Sequence, residues 1–183
     1  MRLGPRGVRL IAGLGLAGAL SLSLTGCGSG ATPPAPSPAT SPTPFLSGAV
    51  MTTAGQVEAA LRAGGIVAAV APVPFRPAES PALSAAPRLV LKATLPGDDG
   101  QGFIVIYDFP DAGRAYGAGV EMAAYLASGP GRIQFPTDAR HVIRQVGSTL
   151  VFYTWTPADP PETGAADVAT ALGTLGLEIP IVR

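Results

Sequence analysis

From about residue 49 onward, apolar and polar positions recur with the periods of regular structure. Val57, Ala60 and Leu61 sit at helical spacing behind Thr53-Ala-Gly-Gln56, a capping-box pattern, and Gly64-Gly65 follows as a stop. This predicts a first helix over about 54–63. The β-branched stretch Ile66–Ala71 predicts a short strand, followed by a Pro-rich connection to Pro87. Arg88–Leu95 alternates, with Leu89, Leu91 and Leu95 on one face and Lys92 and Thr94 on the other. Phe103–Phe109 is apolar on both faces, as a central strand is, and Pro96-Gly-Asp-Asp-Gly100 joins the two strands as a hairpin.

Pro110 and Asp111 open a second predicted helix, with Asp111 as cap or dipole partner. Its apolar stripe is Tyr116, Val120, Ala123 and Ala127, and Gly129-Pro130-Gly131 ends it. A second hairpin follows, His141–Val146 and Thr149–Trp155 around Gly147-Ser148. Asp159-Pro160-Pro161-Glu162 reads as the cap of a third helix, whose stripe is Val168, Leu172 and Leu175 and whose stop is Gly176. Hairpins imply antiparallel pairing, so the expected fold class is α+β, an antiparallel sheet with helices packed on one face.

The first 48 residues follow different rules. Arg2, Arg6 and Arg9 form a positive head, and Leu10–Leu24 is an apolar run of about fifteen residues, short of the roughly twenty that span a bilayer. The run ends in Leu24-Thr25-Gly26-Cys27. Small residues before a lone cysteine, placed after such a head and run, resemble the lipobox of bacterial lipoproteins. That resemblance covers residues 1–27. It implies cleavage between Gly26 and Cys27, a diacylglyceryl thioether on Cys27, and acylation of the new N-terminus. Several acyl chains, at about 0.8 kcal/mol per buried CH₂, give stable anchoring. An incidental cysteine beside an ordinary signal peptide and an uncleaved anchor are the competing readings. Gly13-x-Gly15-x-x-Gly18 formally matches a dinucleotide fingerprint but has no strand before it and no βαβ unit around it.

Residues 28–44 carry no charge, no large apolar side chain and six prolines, the composition of a disordered, extended spacer reaching about 50 Å. The expected organisation is therefore a leader over 1–26, anchor and linker over 27–48, and one small domain over 49–183. Within the domain, the order around Phe103–Phe109 and Asp111-Ala112, then His141, Gly147 and Leu150–Tyr153, resembles small bacterial lipoproteins with a tethered α+β domain. The group has no assigned activity, so the resemblance implies fold and location.

Composition removes several function classes. Twelve basic residues balance twelve acidic ones, and loss of the leader would leave nine against twelve, which argues against a nucleic-acid partner. One cysteine and one histidine exclude a disulfide framework and multi-Cys or His-rich metal sites, and no cofactor is expected. His141 would have to serve any triad, and no Gly-x-Ser-x-Gly elbow accompanies it; a cross-strand position is the simpler reading. Asp98-Asp99 fits turn chemistry better than a calcium loop. Asp108 and Asp111 are candidate paired carboxylates, though a strand end and a helix cap already account for them. Arg140 and Arg144, which share a strand face with Val142 between them, are a candidate anion patch. Tyr153 and Trp155 share a face as core or as a binding surface. The expectation is a lipid-anchored, extracytoplasmic envelope protein, in contact with membrane lipid through Cys27. Its domain binds or scaffolds an envelope protein or small molecule and is not an enzyme. The alternative is a hydrolase or sugar-active enzyme using Asp/Glu carboxylates.

Overall fold

The computed structural model describes residues 46–96, 100–157 and 163–182. The expected leader, Cys27 with Leu24, Thr25 and Gly26, the expected spacer, Asp98-Asp99 and the expected cap at 159–162 lie outside the described residues. The elements run α1 (Gly48–Ala63), β1 (Ala68–Val70), α2 (Pro81–Ala85), β2 (Arg88–Ala93), β3 (Phe103–Asp108), α3 (Ala112–Ala127), α4 (Gly129–Arg132), β4 (Arg140–Val146), β5 (Thr149–Trp155), α5 (Thr163–Gly173) and β6 (Leu177–Glu178). The six strands form one antiparallel sheet in the order β1-β2-β3-β5-β4-β6. The α+β class and both hairpins are as expected.

Placement of the helices on one face is not. Ile104, Ile106, Val151 and Tyr153 pack with Val57 and Leu61 of α1 and Val168 and Leu172 of α5. The alternate residues Val105, Tyr107, Leu150 and Phe152 pack with Met122 and Leu126 of α3 and Leu83 of α2. Successive strand side chains point to opposite faces, so two apolar sets need two covering layers. The sheet is the middle of three layers. The continuous apolar character of Phe103–Phe109 carried that requirement, since a strand buried on both faces cannot lie in a sheet with one face bare.

Several boundaries also move. α1 begins six residues before the expected start, because Val50 and Ala54 extend its buried stripe. Thr53 is not its cap: it is a buried mid-helix residue whose hydroxyl meets Thr149 Oγ1 at 2.8 Å. Thr149 in turn donates to the Val146 carbonyl at 2.8 Å, so the shared proton belongs to Thr53. β1 is shorter than Ile66–Ala71, and the Pro-rich connection holds the short helix α2 with Pro81 in its first turn.

In α3, Asp111 caps as expected, accepting from the Arg114 amide at 2.8 Å. The buried side is Ala115, Ala118, Gly119, Met122, Ala123 and Leu126, whereas Tyr116 and Val120 are nearly half exposed. The predicted stripe was thus one flank of a helix that is apolar on more than one side. Ser128 ends α3 and caps α4 through its hydroxyl, which accepts from Gly131 N at 3.2 Å. α5 stops at Gly173 rather than Gly176. Gly176 (φ +39°) instead starts the return into β6, which pairs with β4 and was not expected.

Candidate functional site

α3 stops before the sheet does. Beyond its end, the α4–β4 loop brings Phe135 and Pro136 over the start of β4, leaving an open hollow of about 290 Å³ lined by Leu126, Gly131, Arg132, Phe135 and His141. An adjoining hollow of about 260 Å³ shares Phe135, Pro136 and Ala139 and reaches Phe75, Phe103 and Trp155. Together they form a cleft at one end of the sheet.

Each aromatic has a structural reason to be there. Phe103 begins β3 on the α3 side and stacks on Phe75, with centroids 4.1 Å apart and planes at 6°. Lys92, its cross-strand partner, places its ammonium 4.4 Å from the same ring. His141 stands on the α3 side of β4, edge-on to Phe135 at 4.8 Å and parallel to Phe152 at 6.1 Å. It is thus half-buried among rings and not the exposed cross-strand residue expected. Trp155 stacks on Tyr153 at 5.3 Å; Tyr153 is buried and donates to the Ala165 carbonyl at 3.2 Å, so it belongs to the core.

A second polar centre lies on the same face, in the segment that crosses from β1 to β2. The Glu79 side chain is only 3% exposed and is held by Arg76 Nε at 2.8 Å and by Arg88. Arg76 Nη2 donates also to the Ser84 carbonyl at 3.0 Å, and Arg88 lies 5.6 Å from the Tyr107 ring. Burial first, then the negative charge of Glu79, push the Tyr107 hydroxyl far above its ordinary value of 10.0. Folded Tyr107 therefore stays protonated where the unfolded chain ionises, and stability falls as pH rises past about 10. Tyr107→Phe should remove up to about 1.4 kcal/mol per pH unit from that alkaline slope, measured by urea unfolding between pH 9 and 11. An unchanged slope would contradict the assignment.

Other sequence candidates are already engaged. Asp108 accepts from Ser47 N at 2.8 Å and Ser47 Oγ at 2.7 Å, and Asp111 caps α3, so each carboxylate serves a local structural contact. Arg144 donates to the Leu175 and Gly176 carbonyls at 2.6 and 3.0 Å and to Glu178 at 3.3 Å. It ties the turn between α5 and β6 to β4, so its guanidinium is committed there and is not shared with the exposed Arg140 as an anion patch. Among the described residues no three His, Cys, Asp or Glu side chains gather as a metal site, and no helix is long and apolar enough to cross a membrane.

Sequence reading missed Glu79 and the Phe75–Phe103–Phe135 grouping. The i,i+3 spacing of Arg76 and Glu79 was a visible signal for the first; nothing local marked the second. The comparisons decide no family. The chain matches no family model, no curated protein and no solved structure.

Proposed function

We propose that this protein is a lipid-anchored lipoprotein of a bacterial envelope whose three-layer domain binds or scaffolds an extracytoplasmic partner. The observation that carries the reading is the sequence Leu24-Thr25-Gly26-Cys27 at the end of a positively headed apolar run. The spacer over 28–44 supports it, because an extended chain of that composition separates a domain from a bilayer by about 50 Å. A binding role is favoured by the cleft, where Phe75, Phe103 and Phe135 line an open hollow and Arg132, Gln101 and Thr156 supply polar atoms at its sides. The carboxylate-based hydrolase draws no support from Asp108 and Asp111, which serve as strand-end and cap acceptors.

The intact mass of the protein extracted from membranes with detergent tests the anchor. The expected value is residues 27–183 plus two or three acyl chains, and Cys27→Ser should release the chain from the lipidated form. An unmodified chain cut elsewhere would end the lipoprotein reading.

A further inference from the structure

Among the described residues nothing covers the outward side of α3, although its composition is that of a packed surface. Of its sixteen residues only Arg114 and Glu121 are charged. Between them the exposed positions are Tyr116, Gly117 and Val120, with Gly113 and Ala124 extending the same side at helical spacing. Tyr116 is 48% and Val120 45% exposed, which places two large apolar side chains beside a smooth strip.

The glycines of this helix divide into two kinds. A Cβ on Gly119 would lie 2.2 Å from Ile179 Cδ1 and 2.8 Å from Leu150 Cδ1, so the close approach of α3 to the sheet requires glycine there. A Cβ on Gly117 would meet nothing within 4 Å, and one on Gly113 only the Asp111 carboxylate at 3.2 Å. Glycine inside a helix loses backbone entropy, and at these two positions the described residues of one chain supply no compensating contact. A second helix lying across the strip would supply it.

The charges say which helix. Arg114 and Glu121 are seven residues apart, two turns along the same flank. When a helix packs on an antiparallel copy of itself, like flanks face each other in reversed order, so a pairing centred between Gly117 and Ala118 sets each Arg114 opposite the partner copy's Glu121. Two copies of the ion pair then form by symmetry. Among the described residues Arg114 makes no salt bridge, and Glu121, which accepts from Ala82 N at 3.0 Å through Oε1, remains exposed. A parallel two-fold pairing would set the Arg114–Glu121 flank of each copy against the Tyr116–Val120 flank of the other, and no ion pair would form. We infer that the outer face of α3 is a two-fold interface with a second copy of this chain, packed antiparallel across Gly117, with Tyr116 and Val120 along one flank and the Arg114–Glu121 pairs along the other. A single helix pair buries less than the roughly 800 Å² per partner of a stable complex, so the association is a reversible one.

The test uses the full chain expressed in cells, oxidised in situ and resolved without reductant. Gly117→Cys lies beside the symmetry axis, where two Cα atoms come within disulfide reach. It should give a dimer band at least tenfold above that of the unsubstituted chain, which carries Cys27 alone. Gly55→Cys, a similarly open position on α1, should stay at the unsubstituted level. Within Gly117→Cys, Arg114→Glu and Glu121→Arg should each reduce the dimer at least fivefold, and the two together should restore it. Restoration cannot come from the Ala82 contact, which the double variant also lacks. Equal cross-linking at Gly55 and Gly117, or a double variant no better than the singles with unchanged circular dichroism, would overturn the interface. So would a Gly117 thiol that forms no dimer but is shielded from a water-soluble maleimide until detergent is added, since lipid would then be the occupant.

Discussion

Arg88→Ala should destabilise the domain by about 3 kcal/mol, because it leaves a carboxylate inside the protein with half of its counter-charge gone. Glu79 is 3% exposed at its side chain and Arg88 20%, whereas Arg76 is 55% exposed and reaches one side only. Water cannot replace the lost guanidinium around Glu79, and the Tyr107 ring loses the cation beside it. The same logic predicts that removing both charges is milder than removing one. Arg88→Met with Glu79→Leu should recover most of the loss, as an apolar pair of similar volume needs no desolvation of ions. Urea midpoints followed by circular dichroism give both numbers. An Arg88→Ala protein within about 0.5 kcal/mol of the unsubstituted chain would show that Glu79 is neither held nor buried as described.

Gly131→Ala should cost about 2–3 kcal/mol and dismantle the floor of the cleft. A Cβ there would stand 1.9 Å from the Tyr125 carbonyl oxygen and 2.7 Å from its carbon. Both are backbone atoms of the last turn of α3, so no side-chain rotation relieves the clash and α4 must lift away. Ser128 then loses Gly131 N from its cap, and Phe135, which follows three residues after Arg132, loses its support over His141. Gly129→Ala is the internal comparison: two residues away, with nothing within 4 Å of the new atom, it should be neutral within about 0.5 kcal/mol. Thermal midpoints followed by circular dichroism distinguish the pair. Equal effects from the two substitutions would mean that the α3–α4 contact is not close.

Much of the fold was legible along the chain because its signals are local. The turn at Gly147-Ser148, the cap at Asp111 and the alternation of Arg88–Leu95 each depend on a few neighbouring residues, and each appears where the pattern placed it. The first helix was started too late for a related reason: Thr53-Ala-Gly-Gln56 satisfies a local rule, but Val50 and a buried hydroxyl contact with Thr149, 96 residues away, outweigh it. Tyr116 and Val120 show the same limit, since periodicity identifies an apolar stripe without saying which of two stripes meets the sheet.

By itself the sequence determined the α+β class, the two hairpins and the cap at Asp111, all of which are written in residue types at short spacing. Tertiary structure alone decided that helices cover both faces, that Arg144 holds the α5–β6 turn across 31 residues, that Glu79 meets Arg88 inside the domain, and that Phe75, Phe103 and Phe135 share one cleft. The physical reason is that burial and charge pairing are settled by which distant segments the chain crossings bring together, and no local period encodes that.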